Sequence, residues 1–424
     1  MSFRKLLFLL FPFIFFYFFP FSFFTLLFSL LFFLILLNLY ILFFYINMDF
    51  ETAFYSLALT KVRGVGSIIG RRLIDFFGSA KNVFLADKVK IEQAVGKFVA
   101  ENIKKFSKWK EVEEEIKLAQ KLNQKIVCYE EKEKYPALLQ NIPDPPICIF
   151  YKGELEKDML CVAVVGTRSP SQYGVEVTKL FSSFLSSMGI CIVSGLAVGI
   201  DTVAHKSVVG VGGKTWAVLG SSVENIYPQS NIPIVKEILN KGGAIISEFP
   251  PGVPPAPENF PRRNRIIAGI SKAVLISEAP EKSGALITAY LALEYGRDVF
   301  AVPGNITSKK SKGTNKLIKE GALVAESPDD IISRIVPQLG QKIVNKSIGF
   351  VSPFIAYEIK RQDISDEEEK ILSVLDEETP IHIDEIIKKT ALDPSQVLST
   401  LISLEIKSLV VEEGMGYYKK SPSS

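Results

Sequence analysis

The spacing of apolar and polar residues changes character several times along the chain. Residues 48 to about 125 repeat apolar positions at helical spacing, with no strand-like run until "KIVCYEE". A Pro-rich stretch, "YPALLQNIPDPPICIFYKGEL", then reads as a connector. From Leu160 onward short β-branched runs, "CVAVVG", "ICIVSG", "TWAVLG", "AIISEF", "AVLISEA" and "VFAVPG", alternate with helix-patterned segments such as "VEVTKLFSSFLSSMG" and "LITAYLALEYG". Each run is apolar nearly throughout, as strands covered on both faces of a parallel sheet are. The alternation builds βαβ units, so the pattern predicts an α/β fold with a doubly wound, mostly parallel sheet. After a weakly patterned stretch, residues 361–420 predict three short amphipathic helices and a hairpin around Gly414 and Gly416, the outline of a winged helix.

The first 47 residues follow none of these periods. From Leu6 to Asn47 there is no charged residue, and about half of the chain's 31 phenylalanines fall there. The stretch is long enough to span a bilayer, for which ~20 apolar residues suffice, and Arg4 and Lys5 would hold its start in the cytoplasm. It lacks the short apolar core and small-residue cleavage site of a secretory signal. Met48 is followed by "DFETAFYSLALT", a helix start with Asp49 and Glu51 in its first turn, where carboxylates suit the helix dipole. The favoured expectation is a start codon set too early; the other is a membrane anchor. The organisation expected is therefore a leader at 1–47, a helical domain at 48–125, an α/β core at 126–335, a linker at 336–360 and a winged-helix-like domain at 361–420.

Composition narrows the chemistry. The chain has 424 residues and a net charge of +3, so a polyanionic partner would have to be met by a local basic cluster. Four widely spaced cysteines (Cys128, Cys148, Cys161, Cys191) and two histidines (His205, His382) argue against a zinc site and fit reduced, buried thiols. The basic cluster is "FPRRNRIIAGIS", with Arg262, Arg263, Asn264 and Arg265 opening a helix after the strand "AIISEF". Phe260, just before that helix, would either stack on a nucleic-acid base or staple the helix start.

Strand ends of a doubly wound sheet are where ligands gather. "VVGTRSPSQYG" places Gly166, Arg168 and Ser169 at one such end, fitted to an anion. It is not a dinucleotide fingerprint, since G-x-G-x-x-G is missing. "VSGLAVGIDTVAHKS" offers Ser194 and Gly195 as a second phosphate nest. Asp201 and His205, four apart, could form a general acid–base pair, but no nucleophile or metal set accompanies them and a capping and packing role is favoured. Ser283, Gly284 and Thr288 start another helix on the same rim, and Lys309 and Lys310 lead a lysine run beside it. "LTKVRGVGSIIGRRLIDFFGS" places Gly64 and Gly66 in a turn followed by Arg71 and Arg72; it reads either as a helix-hairpin-helix that holds a DNA phosphate or as a plain helical hairpin. In the C-terminal module the segment "DPSQVLSTLISLEIKSLV" presents only Lys407, which favours a protein-interaction or packing module over a DNA reader.

Taken together, "VVGTRSPSQYG", "SGLAVGIDTVAH", "FPRRNRIIAGIS", "SGALITAYLALEYGRDVFAVPG" and "GTNKLIKEGA" resemble the successive motifs of the bacterial DNA-processing protein A family, also called Smf. The resemblance covers nearly all of residues 48 to 420. It implies an extended Rossmann-like core that binds single-stranded DNA without catalysis or cofactor. It also implies homodimers in the cytoplasm that load the recombinase RecA onto incoming strands in natural transformation and counter single-strand-binding protein. Carried over, Gly166, Arg168 and Ser169 would hold phosphates, Arg262, Arg263 and Arg265 would extend that pocket, and Phe260 would flank a base. The N-terminal part resembles the family's sterile-alpha-motif-like or helix-hairpin-helix region, and the C-terminal part its winged helix. The family has no apolar leader like residues 1–47. Two rivals remain: a phosphoribohydrolase of the lysine-decarboxylase-like type using Glu294 and Arg297, whose "PGGxGT" loop is absent here, and a membrane-anchored DNA binder.

Overall fold

The computed structural model describes residues 50–336, 365–376, 379–406, 409–414 and 416–420. The apolar leader at 1–47, most of the expected linker and Lys407 lie outside the described residues. Among the described residues no helix is long and apolar enough to cross a membrane.

A helix over residues 50–60 and the helices Ser67–Phe77, Ala80–Leu85, Lys88–Val95, Lys97–Lys104 and Trp109–Lys121 make up the helical region. Among the described residues nine strands follow in one sheet: β1 (Lys125–Cys128), β2 (Cys148–Gly153), β3 (Cys161–Val165), β4 (Cys191–Ser194), β5 (Thr215–Val218), β6 (Ala244–Ser247), β7 (Ala273–Ile276), β8 (Asp298–Ala301) and β9 (Leu323–Val324). Their order is β1-β2-β6-β5-β4-β3-β7-β8-β9. All neighbours from β6 to β9 pair in parallel, while β1–β2 and β2–β6 are antiparallel. The six strands expected from the sequence are β3 to β8. The connector departs from expectation, because its apolar "CIFYKG" forms β2 and carries the sheet to β1.

Successive residues of a strand face opposite sides, and the core divides accordingly. Cys161, Ala163 and Val165 of β3 pack with the N-terminal helices and the Asn259–Ile270 helix, while Val162 and Val164 pack with the Gln172–Ser187 and Ile200–Gly210 helices. Helices therefore cover both faces, which is why the strands carry no polar alternation. Leu57, Leu73, Ile91 and Ile116 belong to the same apolar cluster as Ile149 and Ile246. The change of period near residue 125 is thus a change of secondary structure inside one continuous core.

The C-terminal module has a separate core built from Ile371, Leu375, Ile386, Val397, Leu401, Leu404, Val410 and Tyr418. Helices Asp366–Val374, Ile383–Thr390 and Pro394–Ile406 pack with a small sheet of β10 (Ile381–His382), β11 (Val410–Gly414) and β12 (Tyr417–Lys420), in the order β10-β12-β11. This is the winged helix the pattern predicted.

Gly153 ends β2 with φ of +91°, and a Cβ there would lie 2.0 Å from the Gly243 carbonyl oxygen. Gly153→Ala therefore loses more than about 1–2 kcal/mol of stability through φ and the collision together. A thermal melt reads this as a clear fall in Tm.

Candidate nucleic-acid interface

The chain winds from β3 outward to β6, crosses back through the Asn259–Ile270 helix, and resumes on the other side of β3 with β7. The crevice between the ends of β3 and β7 is where a ligand is expected in such a sheet, but here the protein fills it. Glu278, 2% exposed, follows β7; its carboxylate accepts hydrogen bonds from the Ser171 amide (2.8 Å) and the Ser171 hydroxyl (2.6 Å). Ser171 in turn caps the Gln172–Ser187 helix through the Gly174 amide. A Cβ on Gly174 would come 2.5 Å from the Glu278 carboxylate, and one on Gly166 would come 2.7 Å from the Glu278 carbonyl. An internal carboxylate thus occupies the helix N-terminus where a phosphate would otherwise sit. Gly166 lets the strand end pack closely against Glu278 and Ile200, where no larger residue fits.

The ends of β4 and β5 are also closed. Ser194 is buried and donates to the Val164 carbonyl at 2.7 Å, while the Gly195 amide donates to Asp201 at 3.1 Å. The Gly195 carbonyl accepts from the Arg263 guanidinium, which also bonds the Val218 carbonyl. Arg263 is 5% exposed. Burial lowers its pKa to about 10, the charge of Asp201 opposing that shift and Arg168 adding to it, so the cation persists at neutral pH. Ser194, Gly195 and Arg263, expected to hold phosphates, lie buried here and build the rim from inside. The helix explains the arginine: Arg263 shares its inward face with Ile266, Ile267 and Ile270.

Asp201 and His205 do not form an acid–base pair at a cleft. The Asp201 carboxylate accepts from the loop amides of Gly195 and Ala197, and burial raises its pKa. His205 is fully buried, its Nδ1 lying 2.8 Å from the Thr215 hydroxyl. That hydroxyl donates to the Ile192 carbonyl, so Nδ1 carries the ring proton and donates to it. The favoured capping and packing reading gains these partners, although Asp201 does not orient the ring through any of these bonds. Glu294 of the rival enzyme ends the Gly284–Glu294 helix, far from the rim, and Arg297 lies beyond it before β8, donating to the Leu138 and Gly269 carbonyls. Among the described residues no group of three or more His, Cys, Asp or Glu could hold a metal ion.

Arg265 is buried too. Its guanidinium pairs with Glu248, bonds the Asp144 carbonyl, lies 3.6 Å from the Asp144 carboxylate and reaches the Ser67 hydroxyl at 3.5 Å. Expected to extend the basic pocket, it instead ties the Gly66 turn of the helical hairpin to the core through these partners. Thr288, 1% exposed, is likewise inside. Between hairpin and core lies a groove of about 770 Å³ lined in part by Gly66, Ser67, Asp144, Arg262 and Ile287.

The surface of the rim is formed by the remaining residues. Arg168 and Ser169 are exposed, and the Arg168 guanidinium lies 5.5 Å from the centroid of Phe260. Phe260 falls within the first turn of the Asn259–Ile270 helix, not before it, and is half-buried against Gly220, where a Cβ would meet its ring at 2.8 Å. Arg262 is exposed, over the ring of Phe249 and 3.7 Å from Glu248. Asn264 accepts from Arg263 Nε and donates to the Gly284 carbonyl, and Ser283 caps the next helix. Lys309 is exposed and Lys310 half-buried in the loop after β8. The sequence reading missed Glu278 and Tyr227, the latter 52% exposed with its ring 6.1 Å from that of Phe260. A tyrosine at the end of a strand-end loop was the available signal for the second; nothing in the sequence marks the first.

The fold and rim define a Rossmann-like core without a dinucleotide loop, followed by a winged helix. Comparison with known proteins agrees. A family model described as DNA recombination-mediator protein A matches residues 125–336, and the DprA winged helix domain matches residues 360–414. Protein Smf of Synechocystis is 36% identical over 394 residues, which is 86% of this chain and 98% of the relative. Protein Smf of Escherichia coli is 39% identical over 291 residues, 68% of this chain and 76% of the relative. The X-ray structure of DNA processing protein A from Streptococcus pneumoniae superposes with a TM-score of 0.57 at 34% identity, covering 66% of this chain and 97% of that one. The chain belongs to the DNA-processing protein A family, the Smf and DprA proteins.

Two outcomes follow from the buried groups. Glu278→Ala strips Ser171 of its acceptor and lowers stability by about 1–3 kcal/mol, while Glu278→Gln, which keeps an acceptor, loses less; equal melts for both would contradict this. Burial, reinforced by the Arg263 charge, pushes His205 down to about 3 from 6.5. The unfolded chain takes up that proton first, so stability is complete above about pH 6.5 and falls toward pH 3 by up to about 1.4 kcal/mol per pH unit. In denaturant titrations at about pH 7 and about pH 5, the parent should lose more stability than His205→Leu.

Proposed function

We propose that this chain binds single-stranded DNA without sequence specificity along the strand-end rim, and loads RecA onto it in transformation or homologous recombination. The observation that carries the reading is the exposed Arg168 guanidinium set against the Phe260 ring, with Arg262 and Lys309 on the same rim. Cations placed along a rim give sequence-independent, salt-dependent affinity for phosphates, and a ring face takes an unpaired base. The inward-facing Asp201 and His205 support a binder over an enzyme. RecA, single-strand-binding protein and a second copy of the chain are the partners that family membership suggests. The reading places this work in the cytoplasm, or at the membrane if residues 1–47 anchor the protein.

The helical hairpin and the winged helix contribute less charge to such a site. Arg71 already donates to the Ile142 carbonyl at 2.7 Å. The Pro394–Ile406 helix contains no lysine or arginine, and residues 365–420 hold six Lys and Arg against thirteen Asp and Glu. The module is acidic, so DNA binding is assigned to the rim.

Binding of single- and double-stranded oligonucleotides to the full chain across a salt series tests this. Tight, salt-sensitive preference for the single strand is expected. Arg168→Ala should weaken binding and lower the slope of log K against log salt by about 0.7, the share of one phosphate that is no longer neutralised. Arg263→Ala should instead lower Tm. Indifference of binding to Arg168 would overturn the rim assignment. For the loader half, the chain should speed RecA filament formation on a strand coated with single-strand-binding protein; an unchanged lag would remove it.

A further inference from the structure

The rim carries a second exposed ring, and we propose that Tyr227 is a base-stacking residue that works with Phe260 to select unpaired strands. The proposal rests on the single-stranded DNA reading above and adds how the bases are held.

Tyr227 stands in the loop between β5 and the short turn Gln229–Asn231. That loop is fastened on both sides of the tyrosine. Ser221 Oγ donates to the Asn225 carbonyl at 2.7 Å, and the Asn225 side-chain amide donates to Ser222 Oγ at 2.9 Å and the Val253 carbonyl at 3.1 Å. Beyond the tyrosine, the Asn231 amide donates to the Leu196 carbonyl and to Thr202 Oγ1, both at 2.8 Å. The side chain is therefore held over the rim by a fixed backbone. A single exposed aromatic on a protein surface needs no explanation. This one is contiguous with a built arrangement: its ring lies 6.1 Å from Phe260 at an interplanar angle of 36°, and Phe260 itself carries the Arg168 guanidinium at 5.5 Å. Gly220 presents bare backbone beneath Phe260.

The exposed Tyr227 ring, with Phe260 and the Arg168 guanidinium beside it, forms a surface on which a base lies against Tyr227 while the neighbouring phosphate meets Arg168. Duplex DNA keeps its base faces covered by stacking, and a free phosphate gains nothing from a ring, so only an unpaired strand uses all three groups. A tyrosine supplies such a face with little loss of side-chain freedom, because it has only two rotatable angles.

The experiment measures binding of oligothymidylate, and of the same strand with abasic residues, to the full chain and to Tyr227→Ala and Tyr227→Trp. Tyr227→Ala should fold as the parent does, bind the normal strand about 5- to 150-fold more weakly, the loss carried by one base–ring stack, and leave the salt slope unchanged. Tyr227→Trp should restore the affinity, and on the abasic strand the Tyr227→Ala difference should vanish. A parent that prefers single strands while Tyr227→Ala binds as tightly overturns this proposal alone. A salt slope lowered by Tyr227→Ala as by Arg168→Ala also overturns it, since the residue would then act on phosphates. A parent without affinity for single strands removes the underlying reading as well.

Discussion

Two guanidinium groups from one turn of helix are sealed inside this protein, and the strand-end rim is arranged around them. A cation taken out of water must be given replacements for its hydration. Arg263 receives the carbonyl oxygens of Gly195 and Val218, and Arg265 receives the carboxylate of Glu248 together with Asp144. Those partners come from the ends of β4, β5 and β6 and from the connector before β2. The loops that display the outer residues are thereby fixed in relation to one another. Helical geometry forces the division of labour, because 263 and 265 turn toward the sheet and the connector while 262 faces water.

A buried charge does similar work at β3 and β7. A doubly wound sheet offers its crevice at the point where strand order reverses, and this chain closes that crevice with Glu278. A carboxylate satisfied by Ser171 leaves no room or charge for a nucleotide phosphate. The exposed groups lie to the side of it, toward β4 and β5, where Arg168, Phe260 and Tyr227 meet. An elongated polyanion that crosses the strand ends suits that placement better than a compact nucleotide inserted between two strands.

The strands β3 to β8 were legible because burial on both faces leaves an unbroken β-branched run, a signal that needs no partner to be read. β2 was not, since prolines before it gave the stretch the look of a connector, and its place in the sheet depends on antiparallel pairing with β6. The basic cluster was legible as a cluster, but its direction was not. "RRNR" has no amphipathic rhythm of its own, and only the isoleucines that follow show which positions turn inward. Glu278 illustrates the harder limit: its partner Ser171 is 107 residues away, so nothing local announces the bond. Tyr227 lay between these cases: it follows the predicted strand "TWAVLG", but its neighbour Phe260 arrives from the next strand–helix junction.

Charge distribution supplies the last step. The whole chain is close to neutral, so no general positive field draws DNA toward it. The acidic winged helix repels a phosphate backbone, and many basic residues elsewhere already have carbonyl or carboxylate partners. What remains on the rim is a small set of cations beside two rings. A single-stranded DNA site so composed would draw less of its affinity from ion release than a broad basic surface does, and more of it from stacking. In such an arrangement strand selectivity would come from the rings and salt sensitivity from the few exposed cations, while the arginines that build the rim from inside hold the loops in place.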